Sequence, residues 1–163
     1  MLWETPFVDD QGGDPLTGLE RACEAKLYEP PREKIHALLI EIDALARESL
    51  DALARRSKQL DIDVTACRSV AEAEAALKQV RFDVVYLDYW LGSETSVPFI
   101  HALDSQRGPP CVVLTDLDEP DIRRIAFRAG AQAFLSKQSL NTQGLEGVTL
   151  AVLRPQMNST AAA

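Results

Sequence analysis

From residue 36 onwards, short apolar runs alternate with longer stretches in which apolar residues recur at helical spacing. The short runs are typical of buried strands and the longer stretches of amphipathic helices. The predicted strands are His36–Ile42, Asp63–Arg68, Phe82–Leu87, Cys111–Thr115 and Ala133–Leu135. The predicted helices are Asp43–Leu60, Ser69–Val80, Pro98–Asp104, Pro120–Ala129 and Leu140–Arg154. This alternation predicts an α/β fold in which a doubly wound, five-stranded parallel sheet is covered by helices on both faces.

Local signals mark the limits of several of these elements. Ser69 and Glu72 have the spacing of a capping box, in which both side chains satisfy backbone N–H groups at a helix start. Gly130 follows the fourth helix, at a position where a left-handed residue commonly ends a helix. The apolar face of the first helix is predicted to extend as far as Leu60, and Asp88–Thr95 is predicted to be a loop.

Residues 1–35 differ from the rest of the chain, because prolines and glycines interrupt them and they carry half of the net negative charge. They contain one candidate helix, which Asp14 can cap and Pro15 can begin. We therefore predict an N-terminal arm with one short helix and a linker, a domain over residues 36–154, and a disordered tail over residues 155–163. The arm could be disordered, pack on its own domain, or cross to a second copy of the chain.

The composition excludes several classes of function. The chain has 163 residues and a formal net charge of −8, which makes it a poor candidate for binding DNA or anionic membranes. Its apolar runs are too short to span a bilayer, and its start lacks the features of a signal peptide. The three cysteines are widely spaced, so neither a disulfide framework nor a zinc knuckle is predicted. We therefore expect a cytoplasmic protein that binds neither nucleic acid nor membrane.

Polar side chains follow the ends of the predicted strands. They are, in chain order, Glu41, Asp43, Asp88, Thr115 and Lys137. Because parallel strands end at one edge of a sheet, these side chains are expected to converge there. A carboxylate can attack phosphorus to form an aspartyl phosphate, for which Thr115 would supply a hydrogen bond and Lys137 a positive charge. Further acids could hold Mg²⁺, which prefers oxygen ligands.

Three segments carry a resemblance to a known family: FDVVYLDYWLG around Asp88, CVVLTD around Thr115, and FRAGAQAFLSK around Lys137. On these motifs, residues 36–154 resemble a response-regulator receiver domain, the phosphoacceptor module of bacterial two-component signalling. The resemblance implies a flavodoxin-like fold with strand order 2-1-3-4-5. It places Asp88 at the acceptor position, Thr115 at the phosphate-binding hydroxyl and Lys137 at the phosphate-contacting lysine. It places Phe134 at the switch aromatic, which in the family swings inward when the hydroxyl moves to the phosphate.

The resemblance also implies partners. The phosphodonor would be a histidine kinase or a histidine phosphotransfer protein. A downstream protein target would bind the face formed by the fourth helix, the fifth strand and the fifth helix, and a homodimer is a further possibility. Too little chain follows Arg154 for an output domain, so a stand-alone receiver is expected. It would not be an enzyme beyond the phosphorylation and dephosphorylation of its own site.

The sequence departs from the family pattern at the metal site. The family usually has two adjacent acids after the first strand, and Glu41-Ile42 stands there instead. The implied ligands of Mg²⁺ are Glu41, Asp88 and the carbonyl of Trp90. Ile42 cannot ligate a metal, so Mg²⁺ binding is expected to be weakened. The indole of Trp90 could also shield the site, and Gln138 stands where proline commonly follows the lysine.

Three other functions can be compared with this interpretation. The main alternative is a pseudo-receiver, a phosphorylation-independent protein-binding module whose switch is frozen because Ile42 weakens the metal site. An aspartate-phosphatase type of hydrolase is disfavoured, because Trp90 occupies the position of that family's second aspartate. The segment DPLTGL resembles the opening of GGDEF-type diguanylate cyclases, but their G-G-[DE]-E-F motif is absent from the chain.

Overall fold

The computed structural model describes residues 31–117 and 119–158, with side chains described as far as Arg154. The strands are β1 (Glu33–Ile40), β2 (Leu60–Cys67), β3 (Val84–Asp88), β4 (Trp90–Leu91), β5 (Glu94–Thr95), β6 (Cys111–Thr115) and β7 (Ala133–Ser136). The helices are α1 (Ala44–Arg55), α2 (Val70–Gln79), α3 (Val97–Ser105), α4 (Pro120–Ala129) and α5 (Thr142–Asn158). A short 3₁₀ helix covers Lys137–Ser139. The helix predicted after Asp14 lies outside the described residues.

Five of these strands form one parallel sheet in the order β2-β1-β3-β6-β7. Counted within this sheet, the order is the expected 2-1-3-4-5. Because successive strand residues point to opposite faces, Leu38 and Leu39 of β1 belong to two different apolar clusters. One cluster packs beneath α2, α3 and α4, and the other beneath α1 and α5. The predicted doubly wound α/β fold is therefore confirmed.

The register of the sheet brings the carboxyl ends of its strands to a common level. Ile40 of β1 pairs with Leu87 of β3, and Thr115 of β6 pairs with Ser136 of β7. The residues that follow these pairs therefore emerge at one edge of the sheet, which we call the C-terminal edge. In open parallel sheets this is the edge at which ligands bind.

The first helix is shorter than predicted. It ends at Arg55, so its predicted extension to Leu60 is wrong, and β2 begins at Leu60 rather than at Asp63. The hydroxyl of Ser57 donates to the Glu146 carboxylate at 2.7 Å and accepts from the backbone N–H of Leu60 at 3.1 Å. This contact with α5 ends the helix, and helical periodicity in the sequence cannot reveal a contact with a distant element.

The first strand is displaced relative to its prediction. It spans Glu33 to Ile40 instead of His36 to Ile42. The early start arises because backbone pairing with β2 continues through polar residues at the beginning of the strand. The early end arises because Asp43 caps α1, so the preceding residues form the turn into that helix.

Two predicted helix signals are present, with one change: the carboxylate of the capping box binds the N–H of Arg68, one residue before the expected Ser69. The hydroxyl of Ser69 accepts a hydrogen bond from the N–H of Glu72 at 3.2 Å, and the Glu72 carboxylate accepts one from the N–H of Arg68 at 2.8 Å. Gly130 ends α4 with φ +114°. The start of α2 and the end of α4 are therefore set by local interactions that can be predicted from the sequence.

Two segments hold more regular structure than predicted. The predicted loop Asp88–Thr95 contains the antiparallel pair β4–β5, which turns through Gly92 at φ +74°. Helix α5 begins at Thr142 and extends to Asn158, past its predicted end at Arg154. In the part of the chain that the structure describes, no helix is both long enough and apolar enough to cross a membrane.

Candidate functional site

Asp88 ends β3 at the C-terminal edge, and its side chain is only 15% exposed. Its Oδ2 atom accepts a hydrogen bond from Lys137 Nζ at 2.7 Å. Its Oδ1 atom accepts one from the backbone N–H of Trp90 at 3.2 Å. Both carboxylate oxygens are therefore held in place by hydrogen-bond donors.

Lys137 follows β7 directly and reaches across the C-terminal edge. Its Nζ atom lies 2.5 Å from Glu41 Oε2, 2.7 Å from Asp88 Oδ2 and 3.9 Å from Asp116 Oδ2. Burial by itself lowers the pKa of the Lys137 ammonium, but the hydrogen bonds and negative charges of Asp88 and Glu41 raise that pKa above its usual value. The lysine is therefore a fixed positive charge next to the predicted acceptor.

Among the described acids at this edge, Glu41 is the most buried, with 3% of its surface exposed. Its backbone N–H donates to the Cys67 carbonyl at 3.1 Å, which continues the pairing of β1 with β2. Its Oε1 atom accepts from the N–H of Asp43 at 2.9 Å, while its Oε2 atom contacts Lys137. The predicted convergence of Glu41, Asp88 and Lys137 is therefore present in the geometry.

The turn that carries Glu41 is held by Arg47, a residue that the sequence interpretation missed. Arg47 Nη1 donates to the carbonyls of Glu41 at 2.7 Å and Ile42 at 2.6 Å. Contacts to backbone carbonyls leave no mark in a pattern of side-chain types. One sequence signal could have identified Arg47. It lies near the start of α1, where a positive charge interacts unfavourably with the helix dipole, so its presence there suggests a specific contact.

Thr115 is buried at the end of β6, and its hydroxyl makes its described hydrogen bonds within its own turn. The hydroxyl accepts from the N–H of Leu117 at 3.1 Å and lies 3.4 Å from the Leu117 carbonyl. Among the described contacts, it is joined to neither Asp88 nor Lys137. Its predicted role as a phosphate-binding hydroxyl would require the side chain to leave Leu117.

Phe134 and Trp90, the two aromatic residues with predicted roles, lie in different environments. Phe134 is 8% exposed, belongs to the apolar cluster beneath α2, α3 and α4, and lies 5.0 Å from the guanidinium carbon of Arg123. Trp90 is 42% exposed on the β4–β5 hairpin, and its ring meets that of Tyr89 edge-on, with the ring centroids 5.4 Å apart. Phe134 is thus packed inward, whereas Trp90 is partly exposed to solvent and its indole contacts Tyr89.

The predicted metal ligands offer two carboxylates and one carbonyl. Mg²⁺ accepts such oxygen ligands and retains several waters, so Glu41, Asp88 and the Trp90 carbonyl fit a loosely held, largely hydrated ion. The side chain of Ile42 is 47% exposed and supplies no ligand. No group of three or more acidic, histidine or cysteine side chains that could hold a metal ion is present among the described residues.

Two cavities of different character lie at opposite edges of the sheet. A cavity of about 390 Å³ opens beside Asp88 and Lys137 and extends along α1. A larger one of about 810 Å³ is lined by residues that precede or begin strands, among them Phe82, Cys111 and Gln132. The smaller cavity is the one next to the candidate chemistry, because the larger lies at the N-terminal edge.

Comparisons with known proteins agree with this geometry. The family model of the response regulator receiver domain matches residues 37–148. The Transcriptional regulatory protein BtsR of Salmonella typhi is 32% identical over 103 residues, which covers 63% of this chain and 42% of that protein. The chain thus spans less than half the length of this curated relative.

Solved receiver domains share the fold at low sequence identity. The receiver domain of a modulated diguanylate cyclase from Desulfovibrio desulfuricans G20 has a TM-score of 0.67 and 19% identity, and the match covers 78% of this chain and 99% of that one. The receiver domain of the sensor histidine kinase PA1611 from Pseudomonas aeruginosa PAO1, solved with a magnesium ion in its active site cleft, has a TM-score of 0.63 and 19% identity. That match covers 74% of this chain and 98% of that one. At these identities the neighbours establish the fold alone.

Receiver domains act in two-component signalling, where they interact with histidine kinases and downstream effectors. They typically bind Mg²⁺ in the active site and are generally not enzymes. The family model covers well over half of this chain, and the sheet order agrees with it. The chain therefore belongs to the response regulator receiver domain family.

Proposed function

We propose that this receiver accepts a phosphoryl group on the carboxylate of Asp88. The observation that carries the proposal is the 2.7 Å contact between Lys137 Nζ and Asp88 Oδ2 at the mouth of a cavity on the C-terminal edge. The transferred group needs a fixed positive charge beside the nucleophile, and Lys137 supplies one without further rearrangement.

The transfer balances without any other reactant. A carboxylate oxygen of Asp88 attacks phosphorus, and the bond from phosphorus to the donor atom breaks with its electron pair going to the donor. A phosphohistidine donor whose second ring nitrogen carries a proton leaves as neutral imidazole, and an acyl phosphate leaves as a carboxylate. Lys137 remains protonated throughout and neutralises part of the phosphoryl charge.

A metal ion adds to this charge neutralisation. When bound, Mg²⁺ stabilises the negative charge of the transferred phosphoryl oxygens. Glu41, Asp88 and the Trp90 carbonyl would hold it, and the absence of a carboxylate at Ile42 would keep its affinity low. This receiver is therefore proposed to be atypical in its metal dependence.

The signal would leave the site through packing changes. A phosphoryl oxygen on Asp88 would compete with Leu117 for the hydroxyl of Thr115, and movement of Thr115 would alter the packing around Phe134. The affected surface is that of α4, β7 and α5, where a downstream protein or a second copy of the chain would bind. The curated relative is named a transcriptional regulatory protein, but the net charge of −8 argues against nucleic-acid binding by this chain itself.

The proposal is tested by incubating the full chain with acetyl phosphate and Mg²⁺ and measuring its intact mass. We expect a mass increase of one phosphoryl group that disappears in Asp88→Asn. Asp116→Asn is the matched control, because Asp116 is a neighbouring acid with a 70% exposed side chain. An adduct that persists in Asp88→Asn, or no adduct under any donor condition, would contradict acceptance at Asp88.

One observation favours a second candidate function. Lys137 bridges Glu41 and Asp88 directly, and the side chain of Ile42 supplies no metal ligand. A pseudo-receiver would keep this bridge permanently and bind its partner regardless of phosphorylation. A Mg²⁺ titration in a Trp3→Phe background distinguishes the two, because Trp90 is then the only tryptophan. Saturable fluorescence quenching supports the phosphoacceptor, and an unchanged signal supports the pseudo-receiver.

A further inference from the structure

The cavity beside Asp88 and Lys137 continues into the domain between α1 and the segment that precedes α5, and we call this space the α1 cleft. Its volume of about 390 Å³ lies at the lower end of the range of small-molecule sites. Its wall and its mouth differ in chemistry. We propose that the α1 cleft binds a small amphipathic ammonium ion, with its alkyl chain along the wall and its charged group at the mouth.

The wall of the cleft is apolar and comes from four separate segments. It is formed by Leu39 of β1, Leu50 and Leu53 of α1, Leu114 of β6, and Leu140. Leu39, Leu50 and Leu114 are almost fully buried and form the floor of the cleft as part of the core cluster beneath α1 and α5. The wall surface that a ligand can reach is mainly that of Leu53 and Leu140, which are partly exposed and pack against that cluster. A wall held in place by the core is preformed, so a ligand need not order it.

The mouth of the cleft carries an excess of negative charge. Among the described residues that line it, four are carboxylates and Lys137 is the one cation. Glu41 and Asp88 are engaged by Lys137 at hydrogen-bond distance, whereas Asp116 makes only a 3.9 Å contact with it and its side chain is 70% exposed. A ligand cation at the mouth would therefore find a carboxylate that Lys137 does not neutralise.

An apolar wall and a negatively charged mouth together favour one class of ligand. An alkyl carboxylate would be repelled at the mouth, and an inorganic cation would gain nothing from the apolar wall. An alkylammonium ion matches both parts, because its charge faces the carboxylates and its methylene groups leave water. This binding does not depend on phosphoryl transfer, so it stands or falls separately from the acceptor role of Asp88.

The test compares ligands that differ in one property at a time. Propylammonium, hexylammonium and hexanoate are titrated into the full chain, and the amide NMR signals of residues around the cleft are followed. Each fully buried methylene group strengthens binding by about fourfold, so hexylammonium should bind about tenfold or more tightly than propylammonium, allowing for partial burial. Hexanoate should produce no saturable shift at these residues.

A pair of variants on α1 locates the site. Ser49 lines the cleft from the exposed side of the helix, whereas Ala52 is exposed and does not line it. Ser49→Phe should fill the opening and weaken hexylammonium binding about tenfold or more, and Ala52→Phe should leave the affinity unchanged. Circular dichroism and urea unfolding check that both variants fold.

Several results would overturn the proposal. They are equal affinities for propylammonium and hexylammonium, saturable binding of hexanoate at the same residues, and unchanged affinity in a folded Ser49→Phe variant. The ligand series uses the unmodified chain, so it remains decisive if the variant does not fold. The acetyl phosphate assay is read by mass, so its failure is distinguished from a failure of amine binding.

Discussion

Lys137 Nζ lies 2.5 Å from Glu41 Oε2, although the two residues are separated by 96 positions in the chain. The pair joins the turn after β1 to the segment after β7 across the C-terminal edge of the sheet. The side chain of Glu41 is 4% exposed and that of Lys137 16% exposed, so water screens the pair only partly. The candidate site is thus also a structural link between the two halves of the sheet.

Removing the Lys137 ammonium should destabilise the domain. Lys137→Met leaves Glu41 and Asp88 as neighbouring carboxylates without a counter-charge. Loss of one member of a buried ion pair costs about 3–5 kcal/mol, and partial exposure here lowers the expected loss to about 2 kcal/mol. Urea unfolding near neutral pH measures it. Lys78→Met, which removes an exposed lysine from α2, should change the stability far less.

The contribution of Lys137 should also depend on pH in a defined direction. Its pKa is raised in the folded state, because the contacts with Asp88 and Glu41 outweigh the opposing effect of burial. The stabilisation is therefore fully present below its usual pKa of about 10.4 and is lost as the pH rises through the higher folded value. The stability difference between the wild type and Lys137→Met should shrink as the pH rises above about 10.4. A difference that grows over this range would contradict the assignment.

The contribution of Glu146 to the stability of the domain should depend on pH in the opposite direction. Hydrogen bonds from the Ser57 hydroxyl and from the N–H groups of Gln59 and Lys58 lower its pKa, against the opposing effect of burial. The stabilisation is present above its usual pKa of about 4.3 and is lost as the pH falls through the lower folded value. Glu146→Gln should cost about 1–3 kcal/mol near pH 7 and less near pH 3 in urea unfolding. Glu48→Gln, at an exposed position of α1, is the control and should be nearly neutral.

Glu146 also illustrates where sequence interpretation reached its limit. The buried strands were predicted because apolar runs such as that of β6 have few alternatives to a sheet interior. The end of α1 was predicted wrongly, because the contact of Ser57 with Glu146 spans 89 positions and has no local pattern. A carboxylate on a helix usually faces solvent, so Glu146 gave no sign of its burial.

The candidate site was likewise predictable from the sequence only in part. Asp88, Glu41 and Lys137 could be brought together from sequence, because residues that follow parallel strands share one edge. The direction of the Thr115 hydroxyl could not, because it depends on a side-chain rotamer and on the path of the turn to Leu117. The sheet topology therefore predicts which residues lie at the same edge, whereas side-chain rotamers determine which of them form hydrogen bonds.

A buried hydroxyl pair links β3 to α5. The hydroxyl of Tyr86 hydrogen-bonds that of Thr149, which in turn donates to the Leu145 carbonyl at 2.6 Å. Burial raises the pKa of Tyr86 to about 12, with the Thr149 hydrogen bond acting in the opposite direction. Tyr86→Phe should cost about 0.5–1.5 kcal/mol, and the Tyr86→Phe/Thr149→Val double variant should cost less than the sum of the single changes. Additive costs in urea unfolding would show that the two hydroxyls do not interact.

Two glycines should respond to alanine with opposite signs. Gly130 has φ +114°, and an added Cβ would lie 2.5 Å from atoms of Asp104, so Gly130→Ala should destabilise by more than about 1 kcal/mol. Gly147 lies within α5, and an added Cβ would meet nothing within 4 Å, so Gly147→Ala should stabilise by about 0.5–1 kcal/mol. Thermal unfolding of the two variants measures both effects. Effects of the same sign would contradict this account of the two positions.

Arg47 should control the rigidity of the turn that carries Glu41. Its guanidinium donates to the carbonyls of Glu41 and Ile42, which lie outside the helix that carries it. Arg47→Gln removes these charge-assisted hydrogen bonds, so the turn should open more often and the amide of Asp43 should exchange its hydrogen faster. Arg55→Gln is the matched control on the same helix, because Arg55 pairs with Asp51 at an exposed position four residues away. Hydrogen exchange followed by NMR should show faster exchange of Asp43 in Arg47→Gln and no change in Arg55→Gln. Equal exchange in both variants would mean that the turn is held by Glu41 and Lys137 without Arg47.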